Sequence, residues 1–377
     1  MTDDSRNPEP TTDHRERHAL FAGGGSGGHV FPGLAVAELL AARGWTVTWA
    51  GRPQGMERAL VERSGMPYVE LPAAPLVGQG LVGKLRALLT LLSSAWRGRR
   101  LVRRLGVRVV VGTGGYVAAP AVLGARVSGV PGLLLEPNAR AGTANRFLSR
   151  WATAAAVGFA SAERDFECTV ETTGTPVRSS FFQAGDRPAG PRGAAGLELL
   201  VVGGSQGAQQ INQLFPTAVE ELAASFPGLY VRHQTGGAHV EAVRADYARR
   251  ELSSAVVDVV PFIDDMPAAM AAASLIVSRA GAITLAEICA AGLPSILVPL
   301  RLAGDHQLDN ARRLEAAQSA IVLADDALSI GGMAEALEAL LADRSRMAAM
   351  GKAARGLAVE NAAERIADLV EQLAEAA

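Results

Sequence analysis

Ala19-Leu-Phe-Ala-Gly-Gly-Gly-Ser-Gly-Gly-His-Val-Phe-Pro32 decides the fold. Four apolar residues predict a short buried strand, Gly23 to Gly28 a turn, and the spacing of Leu34, Ala37, Leu40 and Ala41 a helix that Pro32 starts. Strand, glycine turn and helix in this order open a doubly wound α/β sheet. Thr46 to Ala50 and Val107 to Val111 continue the alternation as further strands. The pattern then begins again: Leu197 to Val202 reads as a strand, Gly203-Gly-Ser-Gln-Gly207 as a turn and Ala208 to Ala224 as a helix. Strands are also expected at Val256 to Val260, Leu275 to Ser278 and Ser295 to Val298. At 377 residues, two domains are the natural division.

The expected boundaries are a disordered leader over 1–17, a first domain over 18–178, a linker over 179–196, and a second domain over 197–355. The linker is turn-rich between Gln183 and Gly196, with Pro188 and Pro191. Residues 356–377 belong to an Ala-rich amphipathic end, read as helical and packing back on the first domain.

With 49% apolar and 20% charged residues and a net charge of -2, the chain has an ordinary globular composition. Its charge is uneven, however. No Asp or Glu lies between Glu70 and Glu136, while Lys84, Arg86, Arg97, Arg99, Arg100, Arg103, Arg104, Arg108 and Arg126 all do. Such a stretch inside a balanced chain points to a local anionic partner and away from general nucleic-acid binding. Apolar Leu76 to Leu92 followed by the Arg97 to Arg104 cluster suits a protein resting on anionic lipid, although a solvated basic helix beside a core helix has the same pattern. Lys84 and Arg86 argue against a spanning helix. Met1 to His18 lacks the basic and apolar regions of a secretory signal. Two cysteines, Cys168 and Cys289, form no disulfide framework and lie in no metal-ligand spacing, which fits a reducing cytosol.

A glycine turn between strand and helix brings free amides and the positive helix end to an anion. Gly23, Gly25 and Gly28 satisfy the dinucleotide fingerprint in form, but the second strand ends in Ala50-Gly51, without the acid that would hold a ribose. A nicotinamide or flavin enzyme is therefore disfavoured. Gly112-Thr-Gly-Gly-Tyr116 is a second glycine turn on the same expected sheet edge, and the pair suits a diphosphate. In the second half, Ser205 and the Arg279 to Thr284 turn repeat the arrangement, with Glu287 placed either to accept ribose hydroxyls or merely to complement a helix dipole. His29 follows the first turn as a candidate general base, or as a cap of that turn, and Glu136 is a weaker candidate base.

In order along the chain stand GGGSGGHVFPGLAVA from Gly23, GTGGYVAAP from Gly112, NARAGTANR from Asn138, GTPVR from Gly174 and GGSQGA from Gly203. HQTG from His233, PFIDDM from Pro261, SRAGAITLAEICAAGLPSILVP from Ser278 and DHQLDNA from Asp305 complete the series. Over almost its full length the sequence resembles the MurG family, transferases that use UDP-N-acetylglucosamine to convert lipid I into lipid II. Where the family pattern reads HEQN and GNPVR, this chain has Leu135-Glu136-Pro137-Asn138 and Thr175, keeping Asn138 and Arg178.

The resemblance implies a GT-B fold, two Rossmann-like domains facing across a cleft. It implies an inverting hexosyltransferase of peptidoglycan synthesis, without a cofactor or metal, peripheral at the cytoplasmic face of the plasma membrane. UDP-N-acetylglucosamine and lipid I are the implied substrates, and other wall-building proteins the implied partners. Carried over by motif, Ser205 and Ala282, Ile283, Thr284, Leu285, Ala286 and Glu287 hold the UDP phosphates and ribose. Ile263 meets uracil through its backbone, Gln307 reads the sugar, and Asn138 and Arg178 reach the nucleotide sugar. Ser26, Gly27 and Gly28 border donor sugar and acceptor. Gly23, Gly24 and Gly25 with Gly112, Thr113, Gly114, Gly115 and Tyr116 receive the lipid diphosphate. Rival readings are a GT-B transferase for another lipid, a UDP-N-acetylglucosamine 2-epimerase and a non-catalytic nucleotide-sugar sensor.

Overall fold

In a computed structural model, the structure describes residues 17–25, 27–73, 80–185, 196–204, 207–250, 257–300 and 306–377. The first sheet is wholly parallel and seven-stranded. Its strands are β1 (His18–Gly23), β2 (Thr46–Gly51), β3 (Tyr68–Glu70), β4 (Val109–Gly114), β5 (Gly132–Glu136), β6 (Ala154–Val157) and β7 (Thr169–Thr172). Their order is β3-β2-β1-β4-β5-β6-β7, so the crossover direction reverses between β1 and β4. At that switch point the carboxyl ends of neighbouring strands open a crevice. The whole of β1 is buried, as expected for a strand covered on both faces.

One face is covered by α1 (Gly27–Ala42) with α2 (Met56–Arg63), and the other by α3 (Gly80–Leu105) with α4 (Ala118–Ser128). The expectation that Pro32 starts the first helix is corrected: α1 begins at Gly27 and Pro32 lies within it. Proline lacks the amide for a bond to the residue four before it and crowds that carbonyl. The residue in that position is Gly28.

The second sheet, also parallel, is six-stranded in the order β10-β9-β8-β11-β12-β13. Its strands are β8 (Glu198–Val202), β9 (Tyr230–Gln234), β10 (Val257–Val260), β11 (Leu275–Ser278), β12 (Ser295–Leu297) and β13 (Ala320–Val322). In the chain α5 (Thr143–Leu148) connects β5 to β6, and α6 (Ser179–Gly185) lies between the last strand of the first sheet and the first of the second. The segment expected to be a linker from residue 179 begins instead as α6, because adjacent Phe181 and Phe182 are both buried with Leu200, Ile276 and Ile288 of the second domain. Residues 186–195 of that segment, and 1–16 of the expected leader, lie outside the described residues.

Five helices follow the strands of the second sheet: α7 (Gln209–Ala223), α8 (Val240–Arg249), α9 (Met266–Ala272), α10 (Ala282–Ala291) and α11 (His306–Ala316). Asp265 caps α9 by accepting from the amide of Ala268 at 3.0 Å. Three more helices end the chain, α12 (Ile330–Leu341), α13 (Arg344–Leu357) and α14 (Ala362–Glu375).

Helix α14 returns to the first domain. Ile366, Ala367, Val370 and Ala374 are buried with Ala19 and Phe21 of β1. Fully burying Ile366 and Val370 contributes about 1.5–3 kcal/mol each. Polar contacts fix the register: Arg43 reaches Asp368 at 2.6 Å and Glu371 at 2.8 Å, and Trp45 Nε1 donates to Glu371 at 2.9 Å.

The long α3 packs closely on α4. A Cβ at Gly98 would stand 1.7 Å from the Pro120 carbonyl oxygen, so only glycine admits this crossing. Away from that contact Leu89, Leu92, Trp96, Arg100 and Arg103 are exposed at spacings of three and four, one face of the helix. Arg100 lies over the Trp96 ring at 5.8 Å. Leu76 to Gln79 of the apolar stretch lie outside the described residues. Among the described residues, no helix is long and apolar enough to cross a membrane.

Candidate functional site

The first glycine turn connects β1 to α1 and is held from three sides. Gly25 has φ +88, a backbone state glycine reaches without strain. The Gly24 carbonyl accepts a hydrogen bond from His29 Nδ1 at 3.0 Å. The Gly25 amide donates to Glu57 Oε2 at 3.2 Å. Because Nδ1 donates to a carbonyl, it carries the proton of the neutral ring, which makes Nε2 the basic nitrogen. The end of β4 lies against this ring: a Cβ at Gly114 would sit 2.8 Å from His29 Cδ2, and one at Gly115 2.7 Å from the Gly24 carbonyl oxygen.

The second expected turn starts later than its sequence suggested. Gly112, Thr113 and Gly114 are strand residues of β4 and are buried, so Gly115 and Tyr116 are the part of that motif that reaches the surface. Thr113 points toward Gly23, where a Cβ would come within 1.9 Å of its hydroxyl. Gly27 and Gly28 open α1 and are partly exposed, whereas Gly23 and Gly24 are buried. Ser26 lies outside the described residues.

Glu136 ends β5 and turns inward. Its Oε1 accepts from the Asn138 amide at 3.1 Å and from Asn138 Nδ2 at 2.8 Å, and its Oε2 from the Gly142 amide at 2.8 Å and Asn145 Nδ2 at 3.0 Å. A carboxylate offers about four acceptor positions, and these are filled. This geometry corrects the weaker base assignment: Glu136 braces the loop between β5 and α5.

Asn138 is tied as well, since its Oδ1 accepts from Asn310 Nδ2 of α11 at 3.1 Å. Asn310, fully buried, also accepts the Ala139 amide at 2.7 Å and donates to the Ala280 carbonyl at 3.2 Å. One side chain thus joins the domains.

On the second domain, β11 leads through Ala280 and Gly281 into α10. Its N-cap is Gly281, no side chain among the described residues caps the helix and no acid occupies its first turn, so its N-terminal amides are suited to an anion. Gln307 supports the turn, its Oε1 accepting from the amides of Leu300 at 2.9 Å and Ala280 at 3.3 Å. Gln307 and Asn310 therefore hold opposite ends of residue 280. Arg279 reaches the Val298 carbonyl and Gln210 Oε1, both at 3.1 Å, and burial lowers its pKa.

Within the 282–287 segment, Ala282 and Leu285 are buried, while Ile283, Thr284, Ala286 and Glu287 keep partial access. Burial pushes the Glu287 carboxyl up from its ordinary value near 4.5 to about 7, with the Arg178 charge acting in the opposite direction. Arg178 is held over the Phe181 ring at 5.2 Å. Between Gly204 (φ +82) and Gly207 (φ +79), Ser205 lies outside the described residues. Ile263 lines a cavity of about 350 Å³ with Arg232, Asp258, Phe262 and Asp265, and Phe262 is exposed there.

Helix α1 meets α10 across the cleft, so the helices following the two anion-type turns converge. Glu57 and Asn310 were not singled out by sequence reasoning. The three-residue step from Gln307 to Asn310 was the available signal for the second, since it places both on one helical face.

Two parallel sheets meeting at such a cleft define the GT-B fold, and the family matches make it a glycosyltransferase. Residues 19–157 match the glycosyltransferase family 28 N-terminal domain and residues 198–372 match its C-terminal domain. A Halorhodospira halophila protein named UDP-N-acetylglucosamine--N-acetylmuramyl-(pentapeptide) pyrophosphoryl-undecaprenol N-acetylglucosamine transferase is 41% identical over 369 residues, 95% of this chain and 99% of its own. A relative of the same name from Cupriavidus metallidurans is 40% identical over 95% of this chain and 98% of its own. The crystal structure of Acinetobacter baumannii MurG superposes with a TM-score of 0.77 at 34% identity, covering 95% of this chain and 99% of that one. The chain belongs to the MurG family.

Proposed function

We infer that the protein transfers N-acetylglucosamine from UDP-N-acetylglucosamine to the 4-hydroxyl of the muramyl sugar of lipid I, forming lipid II for peptidoglycan synthesis. Relatives with that activity in their names align over 95% of this chain. The observation that carries the mechanism is the placement of His29, with Nδ1 fixed on Gly24, on the helix that meets α10.

UDP lies on the second domain, its diphosphate at the α10 N-terminus and the Ser205 turn, its ribose hydroxyls on Glu287 and its uracil at the Ile263 backbone. Gln307 meets the sugar. His29 Nε2 takes the proton of the acceptor hydroxyl as that oxygen attacks the anomeric carbon. The bond from that carbon to the diphosphate oxygen breaks, and its electron pair leaves with UDP. Attack opposite the leaving group inverts the α linkage to β. The α10 amides and Arg178 stabilise the departing charge.

The acceptor diphosphate is placed near Gly115, Tyr116 and the start of α1. The Gly25 amide, already donated to Glu57, leaves the helix-start amides as the better donors. The Leu89 to Arg103 face of α3 rests on anionic lipid and keeps the enzyme peripheral at the cytoplasmic membrane face, where lipid I is presented.

The test follows UDP release from purified protein with UDP-N-acetylglucosamine and a lipid I analogue. Acceptor-dependent release supports the reading. Release without acceptor, together with a 2-epimerised sugar, would make the protein an epimerase, and binding without turnover would make it a sensor. His29→Ala with near-normal turnover would reject the base and leave the family assignment intact.

A further inference from the structure

Glu57 is a fully buried carboxylate with no place in the mechanism above. It stands at the start of α2, on the opposite side of the first glycine turn from His29. Its Oε1 accepts from the Arg52 amide at 3.0 Å, with Arg52 Nε 3.9 Å away, and its Oε2 accepts from the Gly25 amide at 3.2 Å. The backbone makes room for it: a Cβ at Gly24 would lie 2.3 Å from the carboxyl carbon and one at Gly55 2.2 Å.

The carbonyl that accepts from His29 and the amide that donates to Glu57 belong to the same peptide unit, Gly24–Gly25. A trans peptide directs its C=O and N–H to opposite edges of one plane. Imidazole, peptide and carboxylate therefore form a continuous hydrogen-bonded chain, His29 Nδ1–H to O=C of Gly24, and N–H of Gly25 to Glu57. In such a chain each bond polarises the next. A carboxylate pulling on the amide hydrogen makes the carbonyl a stronger acceptor.

We propose that Glu57 is a positioning residue for His29, acting through the Gly24–Gly25 peptide to fix the imidazole with Nδ1 protonated and to support the positive charge the ring gains on taking the acceptor's proton. This rests on the reading of His29 as the base. It assigns a function to the acid that opens α2, and it explains why position 24 has no side chain. The groups facing Glu57 are the Arg52 guanidinium and the Tyr68 phenol, the latter held well above its usual range by burial and by the Glu57 charge.

The experiment compares wild type, Glu57→Gln and His29→Ala by steady-state kinetics across pH, with nitrogen NMR of histidine-labelled protein. Glutamine keeps the size of the side chain, but the two amides lie on different carboxylate oxygens and one of them would face an NH2 donor. Glu57→Gln is expected to lower kcat about tenfold to a hundredfold, a share of the roughly 10²–10⁴ that a positioned base supplies. KM for UDP-N-acetylglucosamine should be unchanged, because that site is on the other domain. The acid limb of the kcat/KM profile should move down, since removing a negative charge disfavours imidazolium.

In wild type the His29 signal, assigned by its loss in His29→Ala, should show the Nδ1-protonated neutral form. A purely structural loss would reduce active enzyme without moving the acid limb. If His29→Ala is inactive while Glu57→Gln keeps wild-type kcat and acid limb, the positioning role is overturned and the base stands. A His29→Ala enzyme that turns over normally overturns the base itself. Should Glu57→Gln not fold, the wild-type spectrum decides, and an Nε2-protonated neutral ring refutes the relay.

Discussion

Glu287 makes UDP-sugar binding depend on pH in a calculable way. Its carboxyl titrates at about 7 in the free protein because burial disfavours the charge. A ribose diol is held by the carboxylate, which accepts both hydroxyls, so binding draws on the ionised fraction. With a pKa of about 7 that fraction is roughly 9% at pH 6 and roughly 91% at pH 8, which gives about a tenfold tightening of Kd across the interval. The sign is that of a raised acid: affinity is lost as pH falls through 7 and saturates above it. UDP-N-acetylglucosamine is the right probe, because its diphosphate is esterified at both ends and has no ionisation in this range. Calorimetry from pH 6 to 8 in buffers of different ionisation enthalpy would report the Kd trend and the proton released on binding. Glu287→Gln should bind more weakly at pH 8 and show a flat profile. A flat wild-type profile, or a glutamine variant with the wild-type slope, would refute the assignment of the ribose to this carboxylate.

Replacing Asn310 with alanine orphans the buried Ala139 amide and Ala280 carbonyl, and at about 1–3 kcal/mol for each buried unsatisfied group the loss should be about 2–6 kcal/mol. Chemical denaturation of the full chain measures it, and an unchanged midpoint would mean the seam contributes nothing. Gly98→Ala forces a methyl toward the Pro120 carbonyl and should cost about 1–3 kcal/mol or more, read as a lowered thermal midpoint. Arg100→Gln with Arg103→Gln should weaken binding to anionic vesicles by about 2 kcal/mol, roughly thirtyfold, with neutral vesicles unaffected. Equal loss on both vesicle types would argue against a role for anionic lipid.

The doubly wound architecture was legible because its signals are local. Ala19 to Ala22 and Leu197 to Val202 announce strands, and the glycines after them announce the turns. Errors arose where a local signal met tertiary packing. Proline commonly starts helices, yet Pro32 lies inside α1. A turn-rich segment concealed α6, whose helical state depends on burying Phe181 and Phe182 in a core formed by residues far along the chain.

The site was legible as motifs and opaque as contacts. Nothing in the sequence pairs Glu57 with Gly25, 32 positions away, or Asn310 with Asn138, 172 positions away. Likewise the exhaustion of Glu136 follows from a loop folding onto it, and no spacing rule reports that.

The backbone passes between the domains twice, once after Gly174 and once before Ala362. These passages touch, for a Cβ at Gly174 would lie 2.6 Å from that of Val359. Two chains side by side act as a strap hinge. Rotation about the line through them changes a few torsions, whereas twist or shear would stretch one passage against the other. With Asn310 bridging the two walls as well, three connections hold the groups on either side of the cleft in one register.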